Sequence, residues 1–362
     1  SAAKLRGAAT GNASFGYFGG GYPGPKSTVD RIDYSSDTAT ASPKGPLSVA
    51  RYFLGATGNA SFGYFGGGES GPALSSVDRI DYSNDTATTP TKGPLSVAKR
   101  RMGATGNSSF GYFAGGDVAP GAKSTVDRID YSSDTGTTPS KGPLSAARDY
   151  GAASSSRANA ILPENIVNYA AGTYATPNTG YFAGGRSPSG PVSTVERIDY
   201  SNDTADASPK GPLTQEKKVG AATGNASFGY FGGGRLDSGG PSPWNLISNV
   251  DRVDYLNDTA TAVVKGPLTG NRYFIGAAGN QNFGYFGGGW IGFSTIDRID
   301  YSNDTAAAVA KGPLSSSTWG AAATGNQNFG YFGGNDGPKS TVDRVDYSND
   351  TATASPKGPL SV

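Results

Sequence analysis

Near-copies of one phrase recur seven times along this chain. The phrase first appears as GYFGGGYPGPKSTVDRIDYSSDTAT at residues 16–40. Its tyrosine marks the copies at Tyr17, Tyr64, Tyr112, Tyr181, Tyr230, Tyr285 and Tyr331, with spacings of 47, 48, 69, 49, 55 and 46 residues. A fixed period of this length is the mark of a repeat architecture, in which each unit buries its apolar faces only against its neighbours. The two ends are in phase, because the final GPLSV followed by the opening SAAKLRGAATGN matches the internal junction GPLSVAKRRMGATGN. An open stack needs atypical capping units at its ends. These ends instead read as the two sides of a cut in a closed ring.

Each period contains four short strand signals and no helical one. In the second copy YFLGAT, residues 52–57, leads into Gly58-Asn59, which suits a tight hairpin turn, and then into SFGYFGG. SSVDRIDY, residues 75–82, carries β-branched and aromatic residues at strand spacing, and Asn84-Asp85-Thr86 supplies turn chemistry before TATTPT. The KGPLS segment breaks the pattern and begins the passage to the next copy. Four antiparallel strands repeated seven times predict an all-β, seven-bladed β-propeller closed head to tail. The expected domain is the whole span 1–362, with blades at approximately 1–47, 48–95, 96–144, 145–213, 214–268, 269–314 and 315–362 and an insertion at 153–179. The first strand of each copy is built from small residues, as crowding at the axis requires. Bulky residues such as Phe15, Tyr17, Phe18, Val29, Ile32, Tyr34 and Leu47 come where a wedge widens. Because both faces of a blade are covered, Arg31, Arg79, Arg128, Arg197, Arg252, Arg298 and Arg344 are expected to pair with an Asp of their own or an adjacent blade.

The order of glycine pair, variable loop, V-[DE]-R-[IV]-D-Y, turn and proline segment resembles the kelch-repeat β-propellers. The likeness runs through Gly19-Gly20, Gly66-Gly67, Gly115-Gly116, Gly184-Gly185, Gly232-Gly233, Gly287-Gly288 and Gly333-Gly334. It departs where kelch repeats carry a tryptophan after the third-strand turn. Here that place holds Ala39, Ala87, Gly136, Ala205, Ala260, Ala306 and Ala352. The phrase DRIDYSNDTAT is also similar to propeller repeats of marine phage structural and tail-associated proteins. That likeness implies an extracellular or virion location.

The copies also serve as an internal comparison. The strand 1–2 turn (TGNAS, TGNSS, TGNQN) and the strand 3–4 turn (YSSDTAT, YSNDTAT, YLNDTAT) barely change, whereas the 2–3 loops and the 4–1 connections differ in length and chemistry. In an up-and-down blade those two variable segments share one face. Function concentrates on loops held by a rigid scaffold, so that face is the expected binding surface. Its candidate ligand-binding residues are Tyr22, Trp244, Trp290 and Phe293, with Tyr169 in the insertion, where the longest spacing is assigned to the variable face. Trp319 precedes Gly320 as Leu54, Met102, Val219 and Ile275 precede their glycines, and is expected in the core. Arg100-Arg101 and Lys217-Lys218 read as small solvated basic spots.

Composition narrows the chemistry. With no Cys and no His, disulfides, thiolate chemistry and the commonest general base and metal ligand are absent. Thirty basic residues against 29 acidic leave a charge of +1, so no global field draws in nucleic acid. No apolar run approaches the ~18 residues of a membrane span. The opening residues lack the apolar core of a leader and an initiator Met, which is expected of a processed or excised chain. The glycines of GYFGGG open no helix and recur seven times, so they form no phosphate cradle. Each Asn-Asp-Thr turn offers a single carboxylate where Ca²⁺ needs about six to eight oxygens.

The expected function is therefore non-enzymatic: an extracellular or virion-displayed structural or adhesion propeller, without cofactor or metal. Its partner is a host-surface glycan or protein, or a neighbouring virion subunit, with self-association left open. An intracellular kelch-like interaction scaffold is the alternative, and a glycan-acting propeller hydrolase, with Glu164 and Tyr169 as seeds, the third.

Overall fold

The computed structural model describes residues 4–119, 121–155, 178–218, 220–236, 245–290, 292–334 and 340–360. Its strands form seven four-stranded antiparallel sheets in sequence order, one per repeat, arranged as a ring. The innermost strands are Ala8–Gly11, Gly55–Gly58, Gly103–Gly106, Ala152–Ser155, Ala221–Gly224, Gly276–Gly279 and Ala322–Gly325, and each lies beside the next. They hold only Gly, Ala, Thr and Ser, because seven strands converging on an axis leave no room for larger side chains.

The strand period of two sorts the wider part of each blade. In blade 1 Tyr17 opposes Arg31 and Phe18 opposes Asp30, so Tyr17 and Phe18 point to opposite neighbours. Tyr17, Val29 and Leu47 pack against Phe65, Ile80 and Tyr82 of blade 2. The same set is rebuilt at every junction, including the one between the last blade and the first, where Tyr331, Val342 and Leu360 meet Phe18, Ile32 and Tyr34. Two tyrosine rings stack at each junction described, with centroids 4.8 Å apart for Tyr17–Tyr82 and 4.7 Å for Tyr34–Tyr331.

A polar node locks each junction from the outside. Tyr17, Arg31 and Lys44 converge on Asp85, which comes from the Asn-Asp-Thr turn of the following blade. Across the seven copies the tyrosine hydroxyl donates to this carboxylate at 2.6–2.8 Å. The arginine lies at 2.8–3.0 Å and the lysine at 3.0–3.4 Å. The ring closes by the same device, with Tyr331, Arg344 and Lys357 on Asp37. The glycine of KGPL is required here: a Cβ on Gly45 would lie 1.4 Å from the Ala87 carbonyl oxygen of the next blade. That carbonyl belongs to the position where kelch repeats carry their tryptophan.

The 1–2 turns form a second belt. The Asn12 side-chain oxygen accepts the N–H groups of Ser14 and Phe15, and its amide donates to the Ala60 carbonyl in the next blade. The long spacing belongs to this side. It is bounded by Ala152–Ser155 and Thr179–Ala183, which pair as Ser155↔Gly180 and are the first two strands of blade 4. The insertion therefore leaves from the uniform face and not from the variable one. The expectation erred because Ala152 to Ser155, small and polar, has loop composition while serving as an axial strand. Tyr169 and Glu164 lie outside the described residues.

Candidate binding site at the axial mouth

The variable face is assembled from paired segments. In blades 1 to 5 the stretch just before the inner strand runs beside the residues just after the glycines: Leu5 bridges Tyr22, Tyr52 bridges Glu69, Arg100 bridges Asp117, Asp149 bridges Arg186, and Lys218 bridges Arg235. The sequence places the 2–3 and 4–1 segments on one face, and these bridges join them there. In blades 3, 4 and 5 the 2–3 loops continue as two-stranded hairpins.

A buried cation holds each pair in place. Arg51 is fully buried and ion-paired with Asp78, and its Nη1 donates to the carbonyls of Gly67 and Ser76, at 3.1 and 2.8 Å, on either side of the 2–3 loop. Arg148 does the same with Glu196, Gly184 and Thr194. Lys99 and Lys217 take the position in blades 3 and 5, 2.8 Å from Asp127 and 2.7 Å from Asp251. Burial pushes both ammonium groups below the ordinary lysine value, with the facing aspartates opposing. Lys217 and Lys218 are each 4% exposed, so they form no solvated basic spot, contrary to the sequence expectation. The error came from reading adjacent charges without a partner across the blade. Arg100 is likewise engaged, with Glu69 and with Asp117 at 3.3 Å.

One residue further along, the chain turns toward the axis in a left-handed conformation. Arg6, Phe53, Arg101, Tyr150 and Phe274 have φ of 59°, 54°, 57°, 54° and 54°, and the equivalent Gly320 has 67°. Five non-glycine residues with φ in this region at equivalent places is unusual, because a Cβ there costs about 1–2 kcal/mol each. Their main chains form a belt: Phe53 N–H donates to Arg6 O at 2.8 Å, Arg101 to Phe53 at 2.9 Å, Tyr150 to Arg101 at 2.9 Å, Gly320 to Phe274 at 2.8 Å and Arg6 to Gly320 at 3.3 Å.

Their side chains meet over the axis. Phe53 and Tyr150 make an edge contact at 6.0 Å, and Tyr150 and Phe274 another at 6.3 Å. Arg6 and Arg101 lie 4.8 and 4.6 Å from the Phe53 centroid, and Arg101 lies 5.0 Å from Tyr150. Together they line a bowl of about 200 Å³, floored by Leu54, Met102 and Ile275.

Of the candidates read from sequence, two join this rim. Tyr22, 39% exposed, packs on Tyr52 at 5.3 Å and beneath Arg6 at 5.5 Å. Trp290 lies 5.8 Å from Tyr273 and makes a 4.4 Å edge contact with Trp319. Phe293 turns instead onto the Arg272 guanidinium, 5.8 Å away, against the buried clamp. Trp244 and Tyr169 lie outside the described residues. Trp319 corrects an expectation: it is half-buried at the rim, 5.7 Å from Phe274, and not in the core. Gly320 holds in blade 7 the place that Phe53 holds in blade 2 of the backbone belt, so Trp319 corresponds to Tyr52 and lies one residue before the position that alignment on the next glycine assigns it. The residues missed outright are Arg6, Phe53, Tyr150 and Phe274. Their signal was a position that reads Arg, Phe, Arg, Tyr, Val, Phe and Gly in the seven copies, directly before strands that hardly vary.

Among the described residues no group of three or more His, Cys, Asp or Glu side chains gathers as a metal site. The carboxylates at the rim each hold an arginine: Glu69 with Arg100, Asp117 with Arg100 and Arg101, and Asp149 with Arg186 at 2.6 Å. Chemically the mouth offers aromatic faces, guanidinium donors and a shallow apolar floor. No protein-family model and no curated protein matches the chain.

Proposed function

We propose that this chain is a non-enzymatic recognition propeller whose ligand docks on the variable face, centred on the axial mouth. The observation that carries the reading is the left-handed ring. Glycine would occupy these positions without strain, as Gly320 does. Retaining Arg6, Phe53, Arg101, Tyr150 and Phe274 at a cost in backbone energy makes sense where the side chains are what is used, since such strain gathers at ligand sites. The seven repeated nodes supply the stiff frame, and the chain's blade-to-blade differences gather on the surface around the bowl.

The likeness of the DRIDYSNDTAT phrase to phage structural and tail-associated repeats supports an extracellular or virion setting and a partner on a host surface or a neighbouring subunit. The kelch-like blade order supports the alternative of an intracellular protein-interaction scaffold. Pairing of Glu69, Asp117 and Asp149 with arginines weighs against a pair of carboxylates poised for glycoside hydrolysis.

The test is capture of labelled protein by envelope fractions of candidate host cells and by an immobilised glycan panel, comparing wild type with Phe53→Ala and Trp290→Ala. Capture lost in the variants, with unchanged thermal unfolding, supports the reading. Equal capture by wild type and variants overturns it, and turnover of a glycoside by wild type replaces it with the hydrolase.

A further inference from the structure

Arg6 stands apart from the other arginines of the mouth. Three aromatic rings surround its guanidinium, Phe53 at 4.8 Å, Tyr22 at 5.5 Å and Trp319 at 5.9 Å. Among the described residues it has no carboxylate ion pair, and its Nε, like that of Arg101, is buried without a hydrogen-bond partner. Stacking orients the planar fork, leaving its edge to donate two parallel hydrogen bonds to a planar or tetrahedral anion. Arg101, 4.6 Å from the Phe53 centroid, is only partly satisfied, by Asp117 at 3.3 Å.

The surroundings share this bias. Counting the second and third positions before each inner strand and the first residue after each run of glycines that follows the second strand, six cations face three carboxylates, in a chain whose whole charge is +1. All three carboxylates fall in blades 2 to 4. Blades 6, 7, 1 and 2 instead contribute an aromatic crescent, Tyr273, Trp290, Trp319, Tyr22 and Tyr52, with Arg6 at its centre.

The bowl's size and edges select among anionic ligands. At about 200 Å³ it is smaller than the ~300–1,000 Å³ of sites that enclose a drug-sized molecule, so it receives one unit of a larger ligand. An extended peptide needs a free strand edge or a groove. The rim's main chain is already paired, as in Arg100 N–H to Asp117 O at 3.0 Å and Asp149 N–H to Arg186 O at 2.9 Å. A sugar ring needs neither, and its C–H face complements the negative face of an aromatic ring.

We infer that the bowl takes the terminal acidic sugar of a glycan, with its carboxylate or sulfate on Arg6 and its ring against Phe53 and the crescent. The inference rests on the recognition role proposed above and names its ligand class.

Calorimetric titration with three probes tests it: an oligosaccharide ending in a carboxylated sugar, the same chain bearing a terminal sulfate ester instead, and the neutral parent. At least one acidic probe binds about tenfold tighter than the neutral parent, about 1.4 kcal/mol, and loses affinity as salt is added. The arm that wins identifies which acid is read. Arg6→Gln erases the acidic advantage by bringing the acidic probes down to the level of the neutral parent, Arg6→Lys keeps only part of it, and Phe53→Ala weakens all three probes. An unchanged unfolding midpoint confirms that the variants are folded. Equal binding of acidic and neutral probes, or an acidic advantage surviving Arg6→Gln, overturns the inference. If the acidic probes fail while envelope capture still depends on Phe53, recognition stands and the acidic sugar falls. If capture ignores Phe53 as well, both fall.

Discussion

The junction between the last blade and the first has no covalent link among the residues that form it, so its node can be tested apart from chain connectivity. Asp37 accepts the Tyr331 hydroxyl at 2.6 Å and lies 3.0 Å from Arg344 and 3.2 Å from Lys357. Asp37→Ala leaves a buried phenol and two cations facing each other. Arg344 is 23% exposed and recovers part of its hydration, whereas Lys357 is 8% exposed and does not. Removing one partner of a buried pair costs about 3–5 kcal/mol, and the orphaned phenol sits within that range rather than adding a separate share. With ~2 cal/mol/K of unfolding entropy per residue over 362 residues, this lowers the unfolding midpoint by about 4–7 °C. Asp134→Ala at an internal junction, where Tyr64, Arg79 and Lys92 converge, is expected to lower it by the same amount. The two variants differ in local opening. In Asp37→Ala, amide exchange accelerates selectively in the first and last blades, because nothing covalent holds that seam. In Asp134→Ala it does not localise in this way. Should Asp37→Ala shift stability by less than about 0.5 kcal/mol, the node is solvated in solution and does not close the ring.

Three further outcomes follow from the same geometry. Phe53→Gly removes a Cβ at φ 54°; the relief of about 1–2 kcal/mol offsets much of the lost packing, so thermal stability stays within about 2 kcal/mol of wild type while envelope capture disappears. A collapse in stability would show that the ring's side chains are structural. Burial, and then the hydrogen bond to the node aspartate, raises Tyr17, Tyr64, Tyr112, Tyr181, Tyr230, Tyr285 and Tyr331 above the ordinary tyrosine value. An acid whose folded pKa is raised gives stability that is complete below its unfolded value of about 10 and is lost as pH climbs above it. Seven such groups remove about 10 kcal/mol per pH unit, so tyrosinate absorbance should appear together with loss of near-ultraviolet circular dichroism, and gradual ionisation of an intact fold contradicts this. Val264→Pro should fold with an unfolding midpoint equal to or slightly above wild type. Val264 opposes Asp251 in the same register as Pro43, Pro209 and Pro356 oppose theirs, and it is 53% exposed. A loss of more than about 1 kcal/mol would mean that the blade-5 edge strand differs from its counterparts.

Repeat spacing and residue size made the blades legible, because each blade is a local object: its strands are consecutive and its turns carry their own Gly-Asn or Asn-Asp-Thr chemistry. What crosses from blade to blade was only half legible. The arginines of V-[DE]-R-[IV]-D-Y read as paired, but their partner is Asp85 and its equivalents in the next blade's turn, and nothing near Arg31 in sequence marks that distant residue. The mouth was least legible. YFLGAT alternates like a strand from its first residue, while the strand starts only at Gly55 and Phe53 adopts φ 54°. A hydrogen bond to the preceding blade, Phe53 N–H to Arg6 O, overrides the local preference, and such an override leaves no trace in a propensity pattern.

The two layers of charge explain how a ring of near-identical blades presents a face that differs from blade to blade. The outer layer repeats Tyr, Arg, Lys and Asp seven times, so every junction is interchangeable and no position around the ring is favoured. In blades 1 to 6 the inner layer repeats only the role: Lys4, Arg51, Lys99, Arg148, Lys217 and Arg272 differ in type but each ion-pairs with a buried carboxylate of its own blade beneath the variable face. That clamp fixes the backbone on both sides of the 2–3 loop, as Arg51 does at Gly67 and Ser76, and leaves the loop tip and the residues at the mouth unconstrained by the repeat. Substitution at Tyr22 or Trp290 therefore changes the surface without loosening the blade. The fold separates what must be equal from what is free to differ at a single buried ion pair, and the asymmetry of aromatic crescent and charged arc is written entirely on the free side.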